Sequence, residues 1–169
     1  IRLAKGDILV PIMGDRSEDP LDLVALVEAV ARGCDLAIGD RFRCGKPSGY
    51  PPLKYLANRY CNYLIKLLFR IPSLDTTNAF KAYRTDILRE LDLTSKGFEI
   101  FVEMPLKVFL KRRGLRATNI PVHHFVGKKR DPKLSLLKDG PRYMRIILSL
   151  VLHKNEGGFL GASQTPVID

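Results

Sequence analysis

The chain has 169 residues, 46% of them apolar, and a formal net charge of +10 at pH 7. This length and apolar content support one folded domain with a real core and exclude a disordered chain. The charge calls for an anionic partner, whether a nucleotide diphosphate, a lipid phosphate, an acidic membrane surface or nucleic acid, and does not choose among them. Ile1 stands where an initiator Met would, so the sequence reads as a fragment truncated at its start. Cys34, Cys44 and Cys61 have neither metal-ligand spacing nor an even count, which fits a reducing compartment.

In chain order, Ile8 to Met13 reads as a buried strand. A helix starts at Pro20: Asp19 suits its N-cap, proline suits its first turn, and Leu23, Leu26, Val27 and Val30 share a face. Gly33 ends it. Asp35 to Ile38 forms a second strand that leaves at Gly39. Residues 43–52, rich in Gly, Pro and Lys, form a mobile loop. A helix over about Leu53 to Phe69 carries Leu56, Tyr60, Tyr63, Leu64, Leu67 and Leu68 at helical spacing, and Pro72 stops it. Phe80 to Arg84 is extended, Asp86 to Leu91 a short helix, and Phe98 to Arg113 a longer helix, straight or bent, closed by Gly114. Ala117 to His124 alternates like an edge strand and runs into a basic loop, Gly127 to Lys133. The last helix, about Leu134 to Leu152, mixes apolar and basic residues and is interrupted at Gly140-Pro141. Its apolar runs fall far short of the roughly 20 residues needed to span a bilayer. Residues 153–169 form a loose polar tail. Strands alternating with helices imply α/β layers.

Acids, amides and basic groups recur at turn positions just after short apolar runs, the layout of a site on the loops of an α/β sheet. The segments are Met13-Gly14-Asp15-Arg16-Ser17-Glu18-Asp19-Pro20, Ile38-Gly39-Asp40-Arg41-Phe42, Asn58-Arg59 with Asn62, Asp75-Thr76-Thr77-Asn78-Ala79-Phe80-Lys81, Gly97-Phe98-Glu99 with Glu103, and Gly127-Lys128-Lys129-Arg130-Asp131-Pro132-Lys133. Each has a plain alternative. Asp15 serves equally as a turn residue, Arg41 as a surface partner of Asp40, and Asp75 as a capping or Asx-turn residue. Arg59 and Asn62 suit a solvated helix face. Glu103 has Lys107 at i+4. His123 and His124 are adjacent and point to opposite sides of a strand, one core and one exposed, which disfavours joint metal ligation.

Taken in order, the segments resemble a family 2 inverting glycosyltransferase of the dolichol-phosphate mannose synthase and polyprenyl-phosphate sugar transferase branch. The resemblance spans roughly Ile8 to Leu152. It implies the nucleotide-sugar-binding α/β sandwich called GT-A, with residues 1–152 as the C-terminal part of the catalytic domain and its N-terminal half missing. It implies a metal site at Asp15 and Ser17 for Mg²⁺ or Mn²⁺, where hard oxygens suit such ions and Met13 replaces the family's first acid. Arg41, Lys129, Arg130 and Lys133 take the donor's phosphates. Asp75 and Glu99 are the catalytic carboxylates, and Arg59, Asn62, Asn78, Lys81 and Glu103 position the acceptor. The reaction implied is inverting sugar transfer from a nucleotide diphosphate donor to a polyprenyl phosphate, at the cytoplasmic face of a membrane. Lys138, Arg142, Arg145 and Lys154 border an apolar stripe suited to that surface. A glycan or small hydroxyl acceptor is the alternative transferase reading. A non-catalytic basic module for membrane or nucleic acid is the alternative outside catalysis. No nucleic-acid motif is present, aromatics do not interleave with the basic cluster, and no nucleic acid is expected.

Overall fold

A computed structural model describes residues 1–112, 114–125 and 136–156. The elements are β1 (Ile8–Leu9), α1 (Pro20–Ala31), β2 (Leu36–Asp40), α2 (Pro52–Phe69), β3 (Lys81–Arg84), α3 (Thr85–Arg89), α4 (Ile100–Lys111), β4 (Ala117–Pro121) and α5 (Leu136–Glu156). The sheet order is β1-β3-β2-β4, with β2 and β4 parallel and β3 antiparallel to both β1 and β2. It is a mixed α/β sheet, and β4 lies at its edge as its alternation predicts.

Period-two alternation divides the core. On β2, Leu36 and Ile38 face α3 and α4, where they pack with Tyr83, Ile87, Met104 and Val108. Ala37, with Phe80 and Ala82, faces α1 through Leu26 and Val30. A third cluster lies among α2, α4 and α5, centred on Ile65, Phe69, Val102, Leu106 and Ile147.

Local chemistry sets the ends of α1 as expected. The Asp19 side chain accepts from Leu21 N–H at 2.9 Å, and Gly33 leaves with φ +111°. Several expected bounds are corrected. The first strand is only Ile8–Leu9. Gly39 lies inside β2: a Cβ there would meet the Phe80 carbonyl oxygen at 2.8 Å, so only glycine permits the approach. The last helix runs without interruption through Gly140-Pro141. Most of the apolar repeat on α2 points to water, since Leu56, Tyr60, Tyr63 and Leu67 are exposed while Ile65 and Phe69 are buried.

Pro105 sits inside α4 and has no N–H for the Phe101 carbonyl one turn earlier. The Lys81 ammonium replaces that donor, 3.1 Å from the Phe101 oxygen, and also bonds the Asn78 carbonyl. Lys81 shares its strand face with Tyr83, so the sheet delivers it into the core, where it is fully buried. Burial lowers its pKa to about 7, with Arg41 acting in the same direction and Asp75 against it.

Candidate active site

The centre of the site joins the end of β2 to the loop between α2 and β3. The Arg41 guanidinium grips Asp75 with both arms, Nε to Oδ2 at 2.8 Å and Nη2 to Oδ1 at 2.7 Å. The Arg41 backbone N–H adds a third bond to Oδ2 at 2.9 Å. Asp75 is fully buried, whereas the Arg41 side chain keeps 11% of its surface exposed. Burial disfavours the guanidinium charge, but the Asp75 carboxylate outweighs it and holds the pKa above the ordinary range. Both Asp75 oxygens are thus engaged. Asp75, expected as a catalytic carboxylate, fixes the Arg41 cation, which pairs with it and not with Asp40. Asp40 accepts from Phe42 N–H at 2.9 Å instead.

The Asp75 loop is clamped from several sides. Asn62, fully buried, donates to Thr77 Oγ1 at 2.8 Å and accepts from Thr77 N–H at 2.9 Å. Asn78 donates to the Gly39 carbonyl at 2.7 Å. Lys81 holds the Asn78 carbonyl from below. Arg59 reaches toward the Leu74 carbonyl at 3.5 Å and lies 5.8 Å from the Phe42 ring centre. Asn62, Asn78 and Lys81, expected to position an acceptor, tie the Asp75 loop to α2, β2 and α4. Glu103 is fully buried, accepts from the N–H groups of Thr94 and Ser95 at 2.9 and 2.8 Å, and pairs with Lys107 at 2.6 Å. Burial would raise its pKa, but Lys107, Ser95 and Thr94 pull it down to about 2.

Around Arg41 stand groups that the sequence did not single out for the site. Tyr50, nearly buried, packs edge-on against Phe42 at 5.7 Å and receives a hydrogen bond from Asn58 at 2.6 Å. Lys54 Nζ lies 5.6 Å from the Tyr50 ring centre, and the His124 ring lies 5.7 Å from it. Burial and Arg41 lower the Lys54 pKa. Burial, then Arg41 and Lys54, lowers His124 to about 4, so its imidazole is neutral at neutral pH. Arg41 and Lys54 make this corner electropositive, suited to an anion. His123 is the exposed member of its pair, held by Asp22 at 3.3 Å.

The Asp15 turn borders the same corner. Ser17 N–H donates to Asp15 Oδ1 at 3.0 Å, an Asx turn, and the turn is stapled to the end of β4 by a Glu18–His124 bridge and by Phe125 N–H to the Ser17 carbonyl at 2.9 Å. Burial and then Asp15 raise the Glu18 pKa, and Glu18 Oε2 is buried without a hydrogen-bond partner. Among the described residues no group of three or more His, Cys, Asp or Glu is arranged around a common point. Asp15 and Glu18 lie close enough for their carboxylates to repel each other, a repulsion that a cation would relieve.

Glu99 begins α4. Its Oε1 accepts from Gly97 N–H at 3.1 Å, and its Oε2 is buried without a partner. A Cβ on Gly97 would meet that second oxygen at 2.6 Å, so glycine makes room for the carboxylate. Tyr143 on α5 donates to the Phe98 carbonyl at 2.9 Å and ties the last helix to this turn. Lys129, Arg130 and Lys133 lie outside the described residues. No helix among the described residues is long and apolar enough to cross a membrane.

No protein-family model matches the chain. It is 26% identical over 128 residues to glycosyltransferase AglJ of Haloferax volcanii, covering 75% of this chain and 42% of that protein. It is 31% identical over 133 residues to the undecaprenyl-phosphate mannosyltransferase of Micrococcus luteus, covering 76% of this chain and 54% of that protein. The chain thus spans about half the length of these curated relatives. Its fold matches glucosyl-3-phosphoglycerate synthase of Mycobacterium tuberculosis, solved with Mn²⁺, uridine diphosphate and phosphoglyceric acid, with a TM-score of 0.60 at 16% identity over 94% of this chain and 51% of that one. By sequence the chain is a relative of the polyprenyl-phosphate glycosyltransferases, and by fold it is of the GT-A type.

Proposed function

We propose that the chain carries the acceptor-side part of a glycosyltransferase that moves a sugar from a nucleotide diphosphate donor to a polyprenyl phosphate, with inversion. The observation that carries the reading is Arg41, fixed by a buried carboxylate yet left partly open beside Lys54, Tyr50 and His124. A guanidinium held in this way binds phosphate oxygens without first ordering its own side chain. The name of the Micrococcus relative, an undecaprenyl-phosphate mannosyltransferase, supports a lipid phosphate as acceptor.

Each residue then has a role. Asp75 positions Arg41. The Asn62, Asn78 and Lys81 contacts keep the Asp75 loop rigid, so the guanidinium does not drift. Glu99 offers its unpartnered oxygen to the acceptor side. A phosphate acceptor already carries a nucleophilic anion, so no general base is required. Lys129, Arg130 and Lys133 close over the donor diphosphate. Asp15 and Ser17, with Glu18 supplying the second carboxylate that Met13 does not, would hold Mg²⁺ or Mn²⁺. The ion would neutralise charge on the departing nucleotide. Residues 1–152 act as part of one catalytic domain, followed by a polar tail, and the complete domain is needed for turnover. Arg142 and Arg145 on α5 keep the protein at an anionic membrane surface.

The test is transfer of radiolabelled sugar by the complete enzyme to a short-chain polyprenyl phosphate and, in parallel, to soluble hydroxyl acceptors. Label in the lipid phosphate, in the anomer opposite to the donor's, is expected. Label only in soluble hydroxyl acceptors would move the assignment to the glycan or small-molecule reading.

A further inference from the structure

Lys81 has no exposed surface, yet its ammonium is bonded to two neutral groups, the backbone carbonyls of Asn78 and Phe101. Among the described residues no carboxylate hydrogen-bonds it. Asp75 gives both oxygens to Arg41. On α4, Glu99 accepts from Gly97, and Glu103 is taken by Thr94, Ser95 and Lys107. A buried ammonium without a bonded counterion is costly, so packing alone does not explain a lysine here.

The two carbonyls belong to two sides of the candidate site. Asn78 closes the Asp75 turn, where its N–H donates to the Asp75 carbonyl at 3.1 Å. Phe101 lies in the first turn of α4, two residues after Glu99, and Pro105 leaves its carbonyl without an amide donor. One ammonium therefore ties the loop that grips Arg41 to the turn that carries Glu99. A neutral amine would hold the same carbonyls more weakly, because charge-assisted hydrogen bonds are the stronger kind.

Two charged groups act on Lys81: Asp75 from the loop before β3 and Arg41 from the end of β2. Burial lowers its pKa to about 7, with Asp75 opposing the shift and Arg41 adding to it. An anion seated on Arg41 offsets the repulsion from the guanidinium and so favours the proton on Lys81. By linkage, the proton on Lys81 favours the anion by the same factor.

We propose that Lys81 is a positioning residue whose protonated ammonium locks the Arg41–Asp75 loop to the Glu99 turn, and that the acceptor's phosphate on Arg41 tightens this lock. The proposal rests on the transferase reading for the identity of that anion. It gives the site a pH dependence of definite sign. Below pH 7 the empty site already holds the proton, so Lys81 adds no slope. Above it the empty site loses the proton and binding must restore it, so affinity falls as pH rises. Turnover at saturating acceptor does not share that fall, since the bound site is already locked.

The test is calorimetric titration of the complete enzyme with a short-chain, water-soluble polyprenyl phosphate from pH 6.5 to 8.5, in buffers of different ionisation enthalpy, with kcat measured alongside. The native enzyme should bind about threefold or more weakly at the upper end and take up protons on binding there, while kcat does not follow. Lys81→Met removes the ammonium. Adding Pro105→Ala gives the Phe101 carbonyl an amide donor again, which repairs the helix without rebuilding the tie to Asn78. This double variant should melt above Lys81→Met, yet bind the acceptor at least about tenfold more weakly than the native enzyme at pH 6.5 and lack the Lys81 share of the proton uptake. His124, Lys54 and the ionisation of the phosphate itself are common to all three proteins and cancel in the comparison.

Native affinity in the double variant would mean that Lys81 only repairs the helix, and it would overturn the proposal. So would parallel affinity profiles for the two proteins. A native enzyme that takes up no proton on binding between pH 7.5 and 8.5 overturns it whatever the variants do. Transfer that proceeds without such uptake removes the coupling and leaves the transferase reading standing. Binding with uptake that depends on Lys81 but without transfer keeps the coupling and removes that reading. Absence of binding at every pH removes both.

Discussion

Replacing Lys81 by Met removes a charge from the core while keeping most of the side-chain volume. In the native protein the Lys81 pKa falls from 10.5 to about 7. The folded state therefore holds this proton less tightly than the unfolded chain does. Between pH 7 and 10.5 the unfolded chain binds more protons, so stability rises with pH. Below pH 7 both states are protonated and the slope disappears. At about 1.4 kcal/mol per pKa unit the full span is roughly 5 kcal/mol, of which about 2 kcal/mol falls between pH 7 and 9. The raised pKa values of Cys34 and Cys61 act in the opposite sense at higher pH and are common to both proteins, so they cancel in the difference. Urea unfolding followed by circular dichroism at steps from pH 6 to 9 measures it. The native chain should gain stability over that range, and the Lys81→Met chain should lack that gain. In the Lys81→Met background, Pro105→Ala restores an amide donor for the Phe101 carbonyl and should recover about 1 kcal/mol. Parallel pH profiles for the native and Lys81→Met chains would refute the buried, depressed Lys81 and the role given to Pro105.

Glu103→Gln should cost about 3 kcal/mol at neutral pH, because it removes a buried charge from Lys107 and weakens the cap on Thr94 and Ser95. The native carboxylate has its pKa depressed, so its contribution is complete above the ordinary value of 4.5 and is lost as pH falls toward about 2, which an acid titration followed by circular dichroism would show. Arg70 closes α2 in the left-handed region with φ 54°, so Arg70→Gly should raise stability by about 1 kcal/mol in chemical unfolding.

Signals confined to one element were legible in the sequence. Asp19, Pro20 and Gly33 bracket α1 because capping and left-handed turns are local chemistry. The alternation Phe80-Lys81-Ala82-Tyr83 already puts Lys81 on a core face, although the family pattern assigned it to the acceptor. The segments that carry the candidate residues stand out in the sequence, but the contacts of each residue depend on a partner distant in sequence. Asp75 reads as a free acid until the fold returns Arg41 to it. Tyr50, Lys54 and His124 come from a loop, a helix start and a strand end that share no motif. On α2 the periodicity reveals an apolar stripe but not which side of the helix meets water. The basic loop at Lys129, Arg130 and Lys133 lies outside the described residues.

The measurement closest to the central claim is kcat/KM for sugar transfer to a short-chain polyprenyl phosphate by the complete enzyme, with Arg41→Lys and Asp75→Asn beside the native protein. Lysine cannot reproduce the fork, and asparagine cannot hold it by charge. Each variant should lose about 100-fold or more, the scale on which aimed donors to a developing anion act, while remaining folded by circular dichroism. Native rates in folded Arg41→Lys and Asp75→Asn enzymes would contradict the assignment of this pair as the anion-binding centre.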